Sequence, residues 1–191
     1  MTTDTILLVE DDENDAFFVE RAMHKIGMTN PVRNARDGQE AIDYLSGAGK
    51  FARRADFPLP GLILLDLKLP LVMGLAVLKW IRENSGLSVI VIILSSSAEP
   101  SDLAAAYRLG ANAYLVKPAA SNNLEGMVRA INDFWLLQNT PPASSPPASW
   151  SVERGAPAMR DFRNRGLDVY EHSSVTGSGG RVAANLYQAD L

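Results

Sequence analysis

The chain has 191 residues, 18 Lys and Arg against 22 Asp and Glu, a formal charge of −4 and a pI near 5.2. This is enough chain for one well-buried core, and the acidic balance argues against a nucleic-acid binder, which needs a basic face. No cysteine is present, which excludes disulfides, thiolate nucleophiles and Cys-ligated metals, and two histidines, His24 and His172, are too few for a histidine-rich metal site.

Ile6–Val9 is a continuous apolar run, as a strand buried on both faces should be. It is too short for the apolar core of a signal peptide, and a membrane span needs about 20 apolar residues. A cytoplasmic location is therefore expected. Phe18, Val19, Ala22, Met23 and Ile26 then recur at helical spacing, and Gly27 can stop that helix. Pro31–Asn34 is a weak second strand, and Asp37-Gly38 turns into a helix through Ala41, Ile42 and Leu45. Leu62–Leu65 is a strong third strand, and Gly74 leads a helix whose inner face is Val77, Leu78 and Ile81. Val89–Leu94 is the fourth strand; Ser101 or Asp102 can cap a helix ending at Gly110. Ala113–Val116 is the fifth strand. The last helix carries the stripe Leu124, Met127, Val128, Ile131 and Trp135.

The pattern changes at about Asn139. Thr140-Pro141-Pro142-Ala143-Ser144-Ser145-Pro146-Pro147 reads as a linker, and Gly177-Ser178-Gly179-Gly180 interrupts the segment beyond it. Residues 139–191 are expected to be a mostly disordered tail, with a short helix possible near Met159 to Arg165. The tail's five Arg balance its five acids, so the front segment carries the net charge. Residues 4–138 are expected to form one domain. Strands alternating with helices of this length imply an α/β fold, (βα)5, with a doubly wound, flavodoxin-like parallel sheet. The shortest solution is strand order 2-1-3-4-5, with a site at the carboxyl ends of the strands.

Four of the five strands end in residues that carry chemistry. Strand one ends in Glu10-Asp11-Asp12, strand three in Asp66, strand four in Ser95-Ser96-Ser97, and strand five in Lys117-Pro118. Singly, each has a plain structural explanation. The acids can solvate a loop and favour a helix N-terminus, Asp66 can stabilise a turn, Ser95 can be an ordinary strand-end hydroxyl, and Lys117 a surface lysine. A parallel sheet sets all of them along one rim, however, and the joint occurrence points to a functional set. Clustered carboxylates repel, so keeping them ionised calls for a cation. All-oxygen ligation suits Mg²⁺, with Mn²⁺ a second option. Phosphoryl transfer needs positioning and charge neutralisation. The cation, Ser95 and Lys117 can meet three phosphoryl oxygens while Asp66 serves as nucleophile.

At these residues the chain resembles the receiver domain of bacterial two-component response regulators, over about residues 4–138. The family's acidic pair resembles Glu10 and Asp11, with Asp11 the direct metal ligand. Its phosphoacceptor resembles Asp66 within Leu64-Leu65-Asp66-Leu67-Lys68-Leu69-Pro70, and the backbone carbonyl of Lys68 is the implied further metal ligand. Ser95 and Tyr114 stand at the family's switch positions, and Lys117-Pro118 resembles its Lys-Pro pair, whose peptide bond is cis in the family. The stretch from Tyr44 to Pro60 and the ending Ile131-Asn132-Asp133-Phe134-Trp135-Leu136 resemble the small regulators paired with phytochrome-type histidine kinases. Phe134-Trp135 either packs on its own core or makes a dimer contact.

Three departures stand out. Lys68 sets a possible cation beside the acceptor, Ser97 holds a position that tunes phosphoryl lifetime, and Leu71-Val72-Met73 is unusually apolar. That last loop is either a partner-docking patch or covered by the tail.

The resemblance implies a single-domain regulator that takes a phosphoryl group from a sensor histidine kinase on Asp66. It would catalyse only its own phosphorylation and dephosphorylation. On phosphorylation Ser95 moves toward the phosphoryl group, Tyr114 turns inward, and the face of the fourth helix, fifth strand and last helix changes partner or homodimer affinity. The alternative is a degenerate receiver acting as a phosphorylation-independent interaction module. A phosphoaspartate hydrolase would show a second Asp where Lys68 stands. A transcription factor would need a helix-turn-helix that the tail lacks. No nucleic acid and no membrane are expected as partners.

Overall fold

The computed structural model describes residues 4–84, 89–118 and 121–140. The stretch from 141 onward, with the possible helix near Met159, lies outside the described residues. Five strands, β1 (Ile6–Val9), β2 (Val32–Ala35), β3 (Leu62–Leu65), β4 (Ile90–Ser95) and β5 (Ala113–Val116), alternate with α1 (Glu13–Lys25), α2 (Gly38–Ser46), α3 (Gly74–Glu83), α4 (Pro100–Arg108) and α5 (Ser121–Ile131). The strands pair in parallel in the order β2-β1-β3-β4-β5, the doubly wound topology expected.

Side-chain alternation splits the sheet's apolar residues between two layers. Ile6, Leu8, Leu62, Leu64, Ile92 and Leu94 share a core with Val19, Met23, Val128 and Ile131 of α1 and α5. Leu7, Val9, Ile63, Leu65, Val91 and Ile93, all essentially inaccessible, alternate with them and face the other way. On that side α2 and α3 pack together, as do α3 and α4, through buried Ile42, Leu45, Leu78 and Ile81. Burial on both faces is why the central strands read as unbroken apolar runs.

Beyond α5 the chain continues as a π-helical segment, Asn132–Gln138. Trp135 packs against the core, whereas Phe134 is about half exposed and meets Trp135 edge-on at 4.8 Å. Trp135 therefore takes the core-packing reading, while Phe134 stays exposed. In the stretch before β3, Tyr44 is buried and donates its hydroxyl to the Pro58 carbonyl at 2.8 Å. Arg54 donates to the carbonyls of Tyr44, Leu45 and Phe57, satisfying the end of α2.

The boundaries shift by a residue at β2 and β4. The start of α4 differs more. Neither Ser101 nor Asp102 caps it; Glu99 occupies the cap position without a side-chain bond and Pro100 opens the helix. Proline's fixed φ and missing N–H suit that first position, and the Asp102 carboxylate is already engaged by the Ser97 hydroxyl at 2.6 Å.

Candidate functional site

The hydrogen-bond ladder runs one residue past the strand ends and sets the site residues side by side. The amide of Asp66 donates to the Val9 carbonyl (3.0 Å), that of Glu10 to Ala35 (3.0 Å), and that of Lys117 to Ser95 (2.8 Å). Glu10 and Asp66, which directly follow the paired ends of β1 and β3, are thereby forced into one crevice. The acceptor loop is tight: Gly74 donates its amide to the Leu67 carbonyl, and a Cβ on Gly74 would lie 2.0 Å from the Asp66 carbonyl oxygen. Only glycine allows α3 to start this close to Asp66.

Asp66 is 6% exposed and both of its oxygens are engaged. Oδ1 accepts from the amides of Leu67 (2.5 Å) and Lys68 (3.2 Å); Oδ2 accepts from Lys117 Nζ at 2.8 Å. Lys117 Nζ also donates to Glu10 Oε2 (2.5 Å) and to Asp15 Oδ2 (2.9 Å), so each of its three N–H bonds has a carboxylate partner. Burial alone would depress the Lys117 ammonium. The bonds to Asp66, Glu10 and Asp15 outweigh burial and hold its pKa well above the ordinary lysine value. Burial likewise raises Glu10, against the opposing pull of Lys117.

Three carboxylates, Glu10, Asp11 and Asp66, each offer an oxygen within 4.8 Å of the others. The donor set is all oxygen and anionic, and Asp11, the exposed member, opens the cluster to solvent. That chemistry fits Mg²⁺ or Mn²⁺, which accept few protein ligands and keep waters. Lys117 leaves room for a dication in charge terms: the carboxylates of Glu10, Asp11, Asp15 and Asp66 outnumber the one ammonium.

The hydroxyl side of the crevice forms a second network. Ser95 is fully buried, and its Oγ accepts from the Ser97 amide at 3.3 Å. Ser97 donates its hydroxyl to Asp102, and its carbonyl accepts from the Tyr114 hydroxyl at 2.9 Å. Tyr114 is 8% exposed, so the structure holds this ring inward already. Burial raises its phenol pKa.

Glu10, Asp11, Asp66 and Lys117 thus meet directly, while Ser95, at the end of β4, is tied to Lys117 through the backbone and to Tyr114 through Ser97. Lys68 presents only its amide to Asp66, and its residue is exposed. Asp12 takes its plain structural role: its Oδ1 caps α1 through the amides of Asn14 (2.8 Å) and Asp15 (3.2 Å). The expected cis Lys117–Pro118 bond is not found, since no peptide among the described residues is cis. Trans is the intrinsically preferred isomer even before proline. In the apolar loop, Val72 is buried, while Leu71 and Met73 are 82% and 50% exposed. The sequence reading missed Asp15 and Asp102.

Comparison with known proteins agrees with this geometry. Residues 6–129 match the family model described as the response regulator receiver domain. The chain is 38% identical over 141 residues to the probable methanogenesis regulatory protein FilR2 of Methanothrix harundinacea, covering 72% of this chain and 86% of the relative. It is 37% identical over 140 residues to response regulator Rcp1 of Synechocystis sp., covering 73% of this chain and 93% of Rcp1. The structure of the Mn²⁺-bound form of Rcp1 superposes with a TM-score of 0.67 over 73% of this chain and 99% of Rcp1's. The phosphorylated cyanobacterial phytochrome response regulator RcpA gives a TM-score of 0.70 at 35% identity, over 74% of this chain and 100% of that one.

Proposed function

The chain belongs to the response regulator receiver domain family, and on that premise we propose that Asp66 accepts a phosphoryl group from the phosphohistidine of a sensor histidine kinase. The observation that carries this is the setting of Asp66: one oxygen pinned by two backbone amides, the other held by Lys117, with Glu10 and Asp11 alongside. A carboxylate oxygen of Asp66 attacks phosphorus, the phosphorus–nitrogen bond breaks, and the electron pair leaves with the kinase imidazole. The residues Glu10, Asp11 and Asp66, with the Lys68 carbonyl, would hold a divalent cation, which neutralises charge between two anions. The Lys117 ammonium and the Ser95 hydroxyl contact phosphoryl oxygens. The protein's chemistry is confined to its own phosphorylation and dephosphorylation.

The switch runs through Ser95 and Tyr114. Movement of Ser95 toward the phosphoryl group pulls on Ser97, whose carbonyl holds Tyr114 and whose hydroxyl holds Asp102 of α4. Because Tyr114 is already inward, the phosphoryl group deepens an existing preference rather than creating one. Leu103, Tyr107 and Val116 are exposed on α4 and β5, which supports that face as the partner or homodimer surface. Relatives that are phytochrome response regulators support a phytochrome-type kinase as the donor. Among the described residues no helix is long and apolar enough to cross a membrane. We take the protein to act in the cytoplasm as a single-domain regulator of residues 4–138, with 139–191 a linker and tail.

A second reading, a degenerate receiver that binds partners without phosphorylation, is favoured by exposed Leu71 and Met73 next to the acceptor. Phosphotransfer from a phytochrome-type kinase separates the two. Wild type becomes labelled in the presence of Mg²⁺ and Asp66→Asn does not; equal labelling of the variant removes Asp66 from its role, and no labelling of either favours the second reading.

A further inference from the structure

We propose that Asp15 is a positioning residue that holds the Lys117 ammonium in the site when a divalent cation is bound there. The proposal rests on the phosphoacceptor reading above and extends it to a residue outside the acidic pair and the acceptor.

Lys117 has three N–H bonds and three carboxylate partners: Glu10 Oε2, Asp15 Oδ2 and Asp66 Oδ2. Two of those partners, Glu10 and Asp66, belong to the carboxylate triplet with the reach to share one metal ion. A dication on that triplet draws electron density from both carboxylates and repels the ammonium. Of the three partners, Asp15 alone stands outside the triplet. It therefore keeps its full charge for Lys117 when the other two are shared.

Its placement is built by the fold. Asp15 lies in the first turn of α1, whose start is fixed by Asp12 Oδ1 accepting from the amides of Asn14 and Asp15. The carboxylate is thereby directed across to the end of β5, 102 residues away in sequence. Its side chain is 46% exposed, against 3% for Glu10 and 7% for Asp66. Solvent screening makes it a weaker partner than either, so it orients Lys117 without locking it away from a phosphoryl oxygen.

The test uses the full chain and beryllofluoride with Mg²⁺ as the phosphoryl analogue, with affinity measured by calorimetry. Asp15→Asn is expected to weaken beryllofluoride binding about fivefold, the effect of one half-exposed charged contact. Mn²⁺ affinity, which depends on the triplet, should change less than about threefold because Asp15 is screened. Asp15→Glu restores the charge and should recover most of the loss. In a Lys117→Ala background Asp15→Asn should have no further effect, since the two residues act through one contact. Binding by Asp15→Asn as tight as wild type, or an equal loss in the Lys117→Ala background, overturns the proposal while leaving Asp66 as acceptor. A wild type that binds no beryllofluoride and takes no label overturns both.

Discussion

Two turns lead from the sheet to flanking helices beside the same crevice, and they are built in opposite ways. After β1, Asp12 caps α1 with two hydrogen bonds and the neighbouring acids converge on Lys117 or a cation position. After β3, α3 starts at Gly74, and Met73 in the cap position before it makes no side-chain cap bond. Leu71 adopts a left-handed φ of 60° while 82% exposed. A leucine there bears a steric cost that glycine or asparagine would avoid. The first turn is locally consistent at every level; the second has an uncapped helix start, a leucine in left-handed backbone and two exposed apolar side chains close to Asp66. Such breaks concentrate at functional positions, and these lie within seven residues of Asp66.

The comparison can be pushed at several points. Replacing Lys117 by Ala strips the shared cation from buried Glu10 and Asp66 and should cost about 3–5 kcal/mol in chelator, the scale for an uncompensated buried charge. Added Mg²⁺ should then stabilise the variant more than it does wild type. Denaturant melts with and without metal check this; equal metal responses would show that Lys117 and the cation do not share the same carboxylates. Gly74→Ala places a methyl against the Asp66 carbonyl and should destabilise by about 1–3 kcal/mol, as overpacking does, with slowed labelling because the acceptor backbone must move. A variant that is stable and fully labelled would mean α3 can start elsewhere. The smallest effect is expected from Met73→Asp, which supplies the missing cap and should stabilise by about 1 kcal/mol. A melt showing no gain would mean that the loop geometry, rather than the residue, prevents capping.

Much of this architecture was legible in the chain because the buried strands announce themselves. Ile6–Val9, Leu62–Leu65 and Ala113–Val116 were placed to the residue by apolar runs bounded by polar ones. Val32–Ala35 was displaced by one because its exposed Arg33 and Asn34 leave no clear edge to the pattern. The crevice followed from topology alone: once the strands are parallel, Glu10, Asp66, Ser95 and Lys117 must share a rim. Asp15 could not be read the same way. It sits on a helix, and its meeting with Lys117 depends on the helix's rotation and on the reach of a lysine side chain. The bond between Ser97 and Asp102 was hidden for a similar reason, since Asp102 read equally well as a cap.

The central claim is that a carboxylate held by Lys117 beside an oxygen-only cation site becomes phosphorylated. Labelling by acetyl phosphate, with Mg²⁺ or with chelator, for wild type and Asp66→Asn, tests it most directly. The account predicts a phosphoryl group on wild type only when Mg²⁺ is present, and none on Asp66→Asn. Label on wild type in chelator at the rate seen with Mg²⁺, or label retained by Asp66→Asn, would contradict it.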